Sequence, residues 1–330
     1  MHEEPESPAP SAQSPAPGSY DAVLLIGFGG PTNMSEVRPF LDNVLRGRPV
    51  PPERIEIVVH HYARIGGKSP FNELTFLQAR GLEARLRAEG QALPVYVGMR
   101  CWTPYLYETL QRMMDDGVRR AVGVIMAPQQ TDASWGRYER EVTAAREQVG
   151  AGAPQIDYVD EWHAHPSFIE AASDNVSAAL KEIPAERRAS VLVLFTAHSV
   201  PTAMAAASPY VEQIAESARL VVERLGHTRW SIAYQSRSGS PREPWLGPDI
   251  NEVIRQLVGE GCRDVVVAPI GFVCDHVEVL YDLDIEARQI AEQVGIRFVR
   301  AATVSDHPAF IRMLADVVRR RIASPTHTHS

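Results

Sequence analysis

Short apolar runs, each separated from the next by a stretch of helical spacing, constrain this chain more than any other feature. The runs are AVLLIGF (22–28), PVYVGM (94–99), AVGVIMAP (121–128), VLVLFTA (191–197), SIAYQS (231–236) and DVVVAPIGF (264–272). Between them lie amphipathic stretches at 72–90, 105–117, 167–183, 210–226 and 249–261, where apolar residues recur every three or four positions. Such an alternation fits a mostly parallel sheet. Its neighbouring strands need a crossover helix between them, and both of its faces are buried. Two of these units echo one another: DDGVRRAVGVIMAPQQ (115–130) parallels GEGCRDVVVAPIGF (259–272), and AVLLIGFGGP (22–31) parallels VLVLFTAHSVP (191–201). The expected fold is therefore α/β, with two similar Rossmann-like lobes, each a mostly parallel four-stranded sheet flanked by helices. Their strand ends then face one another across a cleft, the usual place for a ligand in such sheets. Residues 19–165 make the first lobe and 166–322 the second. Residues 1–18, rich in Pro, Ser, Ala and Glu, read as a disordered leader, and 323–330 as a polar tail in which His327 and His329 are frayed rather than metal-binding.

Composition narrows the function. A net charge of −8 gives no general attraction for nucleic acid or an anionic membrane. No apolar run approaches the roughly 20 residues that span a bilayer, and the leader lacks the basic start and apolar core of a signal peptide, so a cytoplasmic protein is expected. Cys101, Cys262 and Cys274 are scattered and number only three. They fit reduced thiols, and they are too few for a four-cysteine iron–sulfur cluster.

Two segments carry chemistry. In LVLFTAHSVP (192–201) a buried strand runs into His198 and is stopped by Pro201. Taken alone, that histidine is as well read as a loop residue satisfied by a backbone carbonyl as it is read as a ligand. In GFVCDHVEVLYDLDIEA (271–287), Glu278, Asp282 and Glu286 recur every four residues, so on a helix they share one face, about 6 Å per step. Such a face is often merely solvated. Here, however, no Lys or Arg occurs within 272–287 to offset the repulsion, and an uncompensated anionic file invites a cation. One imidazole and one carboxylate make a mixed N/O site for a borderline divalent metal such as Fe(II), too sparse to hold it permanently.

With these residues in view, the chain from about 20 to 320 resembles the ferrochelatase family. The resemblance is carried by GFGGP (27–31), NVLRGRPVPPERI (43–55), HYARIGGKSPFNE (61–73), TAHSVP (196–201), YQSRSGSPREPWLGPDI (234–250) and PIGFVCDHVEVLYDLDIE (269–286). It implies insertion of Fe(II) into a porphyrin held between the lobes, with His198 and Glu278 at the metal and Asp282 and Glu286 relaying metal or protons outward. His198, with an ordinary imidazole pKa near ~6.5, then suits acceptance of a pyrrole proton. The RGR-x-x-P and PWLGPD elements resemble the coproporphyrin-type enzymes, so coproporphyrin III is the implied substrate. Protoporphyrin IX is the alternative ring, a cobalt chelatase a same-fold alternative, and a non-catalytic haem-binding protein an alternative of another class. By the same resemblance Tyr62, Ser69 and Tyr138 donate to substrate carboxylates, with Arg46 and Arg48 assisting and His61 where the group often carries Arg. Phe28 lines the site where some relatives place a Tyr ligand to the product iron. Iron is then a substrate, with no permanent cofactor, and a downstream haem-pathway enzyme is a further implied partner.

Overall fold

The computed structural model describes residues 19–46, 50–238 and 243–324. The expected leader, most of the polar tail, Arg48 and part of the 234–250 motif lie outside the described residues.

Apolar β-branched runs become strands, the central ones almost wholly buried. The first sheet has β1 (Ala22–Gly27), β2 (Val95–Met99), β3 (Arg120–Ile125) and β4 (Gln155–Tyr158), in the order β2-β1-β3-β4. The second has β5 (Leu192–His198), β6 (Trp230–Gln235), β7 (Asp264–Ala268) and β8 (Arg297–Arg300), in the order β6-β5-β7-β8. Every pairing is parallel, and the two orders are the same once the second lobe is renumbered. This is the two-lobed α/β architecture expected. The edge strands β4 and β8, of four residues each and only partly buried, carry no apolar run and escape a periodicity reading. No helix among the described residues is long and apolar enough to cross a membrane.

One duplicated segment went unread in the sequence: HPSFIEAASD (165–174) matches HPAFIRMLAD (307–316). Each begins a helix, Pro166–Lys181 and Pro308–Ala323, with Pro at the first position and the preceding His as N-cap. The Nδ1 atoms of His165 and His307 accept from the amides of Ser167 and Ala309, both at 3.2 Å. That leaves each Nε2 as the donor. His165 Nε2 bonds Asp316 at 2.9 Å, and His307 Nε2 approaches Asp174 at 3.6 Å, so each cap reaches the other helix. Between them Glu170 pairs with Arg312 at 2.7 Å, and Phe168 meets Phe310 edge-on beside the fully buried Trp162. The pair therefore has an approximate two-fold axis. The last helix, assigned from sequence to the second lobe, crosses back to pack on β3 and on the helix Phe71–Ala88 of the first.

Side chains sew the seam further. Gln78, fully buried in the first lobe, donates to the Ser305 carbonyl at 2.9 Å and to Cys274 Sγ at 3.2 Å. Gln130 and Gln213 exchange two bonds, at 2.8 and 3.1 Å. One continuous apolar core includes residues from both central strands.

Candidate active site

β5 delivers His198 as its last residue, and two bonds fix the backbone there. Ser199 N donates to the Gln235 carbonyl at 2.8 Å, and the buried Tyr210 hydroxyl donates to the His198 carbonyl at 3.0 Å. The ring turns its Nδ1–H onto the Ser199 carbonyl. Nε2 is thereby aimed away from the strand, and it lies 3.3 Å from Glu278 Oε1.

Glu278 stands not at the end of β7 but in the first turn of a helix reached through a loop. From β7 the chain passes through residues 269–276 before the short helix Val277–Leu280. That loop is pinned to β5 by Gly271 N, which donates to the Thr196 carbonyl at 3.1 Å. The second carboxylate oxygen, Oε2, lies 3.4 Å from His276 Nε2, so Glu278 is flanked by two imidazoles. Gln235 donates to its carbonyl. The His198 and Glu278 side chains keep 29% and 34% of their exposure, enough for a metal ion to reach both.

The acidic file continues through a π turn rather than a plain α-helix. Residues Asp282–Ala287 are wound so that Glu286 N reaches the Tyr281 carbonyl five residues back at 2.9 Å, a local rewinding common at functional sites. Asp282 accepts from Ser236 Oγ, and Ser236 has a left-handed φ of 62°, an uncommon conformation for a non-glycine residue. Glu286 accepts from Asn251 Nδ2 at 3.0 Å. Neutral partners thus meet the two outer carboxylates. The cationic Arg300 is spent elsewhere. It grips Asp275 at 3.0 Å and Asp284 at 2.7 Å, one on each side of Glu278 along the chain, with Thr303 also donating to Asp275 at 3.0 Å.

The electrostatics follow from this layout. Burial pulls the His198 pKa down, but the Glu278 carboxylate, the Ser199 carbonyl and Asp282 outweigh it and lift it to about 9. Burial alone would raise Glu278; the His198 and His276 rings reverse that and hold it well below the usual carboxylate range. Asp282, with burial first and then the charges of Glu278 and Glu286 opposing its ionisation, is raised to about 7. The ordinary imidazole taken from the sequence is therefore replaced by a resting His198–Glu278 ion pair, with a carboxyl behind it that titrates near neutrality.

Next to the helix that carries Glu278 the first lobe presents an aromatic wall. Phe40 meets Phe28, Tyr62 and Trp102 edge-on, each at 6.1 Å, and Val277 of the second lobe packs against the same cluster. Burial, and after it the charge of Glu278, holds the Tyr62 and Tyr138 phenols protonated. Other expected residues are more dispersed. Ser69 is buried against Gly30, where an added Cβ would meet its Oγ at 2.8 Å. Arg46 is half exposed and 3.4 Å from Glu141. His61 stacks on Tyr281 at 3.6 Å and is pushed down to about 4 by burial and by His60 and Arg54, so it brings no charge at neutral pH. His276, Tyr210, Ser236 and Arg300 were not singled out as site residues from sequence. His276, two residues before Glu278, and Ser236, inside the 234–250 motif, had a signal there.

A family model described as Ferrochelatase matches residues 20–322. A protein named Ferrochelatase from Rhodopirellula baltica is 43% identical over 304 residues, covering 92% of this chain and 86% of its own. Proteins named Coproporphyrin III ferrochelatase from Mycolicibacterium smegmatis and Nocardia farcinica are 39% and 41% identical, each over more than 90% of this chain and 89% of theirs. Among solved structures, SirB from Bacillus subtilis with Fe3+ superposes with a TM-score of 0.57 at 12% identity, covering 92% of this chain and 95% of that one, a likeness of fold.

Proposed function

This chain belongs to the ferrochelatase family, and from that premise we propose that it inserts Fe(II) into coproporphyrin III, releasing two protons. The observation that carries the assignment of roles is the 3.3 Å approach of His198 Nε2 to Glu278 Oε1 at the mouth of the acidic file, next to the aromatic wall. The relatives named for coproporphyrin III support the ring.

A free porphyrin holds two pyrrole protons, and its nitrogen lone pairs lie in the ring plane, where a hydrated metal cannot engage them. The site must therefore take two protons and strip water from Fe(II). Glu278, anionic across the physiological range, offers oxygen ligands to the incoming ion. Once Fe(II) neutralises that carboxylate, the attraction holding the proton on His198 weakens, and the imidazole becomes available as a base or a nitrogen ligand. Asp282, titrating near neutrality, is matched to receiving and passing protons in the same pH range, and Glu286 leads outward. Tyr62, Tyr138, Ser69 and Arg46 are the donors this reading assigns to the ring carboxylates, with His61 serving through its stack on Tyr281 rather than through charge. Iron is a substrate here, and no resident cofactor enters the scheme. The reading places the protein in the cytoplasm, where Cys101, Cys262 and Cys274, all unpaired, stay reduced, with a later haem-pathway enzyme as recipient of the product.

The test is anaerobic Fe(II) supplied with coproporphyrin III or protoporphyrin IX, followed by visible absorbance. Faster metallation of coproporphyrin is expected. No metallated product with either ring would remove the activity, and a preference for protoporphyrin would overturn the choice of substrate.

A further inference from the structure

Arg100 follows β2 directly. Its amide donates to the Gly27 carbonyl at 3.0 Å, so it stands next to Phe28 at the cleft end of the first sheet. The residue is only 8% exposed. Among the described residues no carboxylate pairs with it, and no oxygen accepts a hydrogen bond from its side chain. Its guanidinium carbon lies 4.9 Å over the Phe28 ring and 5.8 Å over the Tyr138 ring.

A guanidinium does not give up its proton in a protein, and its five N–H donors form a planar fork. Burying such a group without a counter-charge is costly. Two aromatic faces offset part of that cost but accept no hydrogen bond in the plane of the fork. Glu141, a carboxylate whose charge acts with that of Arg100 on the neighbouring Cys101 thiol, is approached instead by Arg46 at 3.4 Å and Arg137 at 3.7 Å. The second lobe carries the negative charge of Glu278 and its file, so an anion entering the cleft is driven toward the first lobe.

We propose that Arg100 binds a peripheral carboxylate of the tetrapyrrole substrate. The Phe28 ring is the platform that holds the guanidinium in place, and the Tyr138 hydroxyl is a neighbouring donor. Phenylalanine at position 28 thereby has a use of its own, stacking on a cation. The assignment rests on the chain acting on a carboxylated porphyrin.

Arg100→Met removes the charge while keeping the length and the packing on both rings. Free-base coproporphyrin III and its uncharged tetramethyl ester are titrated into the wild-type chain and the variant in one detergent buffer, with porphyrin emission as the readout. A charge-assisted, forked bond lost from the complex weakens the tetra-acid by about 10- to 100-fold. The ester is expected to change less than twofold, and Arg100→Lys to recover part of the loss. Arg100→Gln, polar and uncharged, gives the same comparison should the Met variant not fold. Unchanged affinity for the tetra-acid, or an equal loss for the ester, overturns the proposal. A wild-type chain that metallates coproporphyrin while the variant binds it normally refutes only the role of Arg100. A wild-type chain that metallates no porphyrin refutes the reading beneath it.

Discussion

Gly271 sets the distance between the two catalytic candidates, and replacing it with alanine tests that geometry directly. A Cβ at this position would lie 2.7 Å from Ala197 Cβ and 2.9 Å from Ala197 Cα, in the strand residue immediately before His198. Carbon atoms in contact settle at about 3.5–4.0 Å, so the loop has to retreat from β5 by roughly 0.8 Å or more. The obstacle is partly backbone and cannot swing aside. Because the loop leads into Glu278, the retreat opens the 3.3 Å separation from His198. Overpacking of this kind costs about 1–3 kcal/mol of stability, and a displacement near 1 Å at a reacting group costs up to about 100-fold in rate. The expected result is a drop of about 10- to 100-fold in single-turnover metallation, read anaerobically by absorbance, with a modest fall in unfolding temperature. The His198 imidazole should also titrate below about 9 by NMR, since its partner has moved away. Adding Ala197→Gly removes the nearer clash but leaves the Cα, so it restores the rate in part. A Gly271→Ala chain with wild-type turnover and an unshifted His198 would refute the claim that this loop meters the pair.

Further outcomes follow from the same layout. Glu278→Gln should cost at least about 100-fold in insertion and return His198 toward its ordinary pKa, whereas Glu286→Gln should cost less than about fivefold; equal small losses would make the file a solvated face. Asp282 has a folded pKa of about 7, above the ordinary carboxyl value near ~3.9, so the native state binds the extra proton between these values. Its cost to stability is absent below about pH 4 and complete above about pH 7; Asp282→Asn should therefore gain on the wild type in denaturant titrations as pH rises through that window. The sign for His198 runs the same way: its stabilising pairing is whole below about 6.5 and lost as pH climbs through about 9. Arg300→Met, which leaves Asp275 with only the Thr303 hydroxyl and Asp284 with Arg288 at 3.6 Å, should lose about 1–3 kcal/mol in chemical unfolding, and a loss below about 0.5 kcal/mol would show that the two carboxylates do not depend on it.

The sequence made the central strands and the His198–Glu278 pair legible for different physical reasons. A strand buried on both faces must be apolar throughout, so β1, β3, β5 and β7 announce themselves, while β4 and β8, on the sheet edges, need not. His198 stood out only as an imidazole ending a buried strand, as well read alone as a loop residue, and the acidic file stood out because no base offsets it. Their consequences were not visible. The raised pKa of His198 depends on a 3.3 Å approach made through a loop, and sequence spacing does not encode that distance. Ser236, although it lies within the YQSRSGSPREPWLGPDI motif, and Arg300 act on the file from other elements, and no spacing in the chain ties either one to it. Arg100 shows the limit most plainly: an arginine after a strand looks like any surface cation until its lack of a partner is seen.

The exchanged helices bear on how the cleft can work. With Pro166–Lys181 and Pro308–Ala323 each capped by a histidine that holds the other, and Glu170 and Arg312 clasped midway, rotating one lobe away from the other would have to shear this crossed bolt. The jaw width is thus set at folding, not at binding. A guest too flat for the space is shaped by the host.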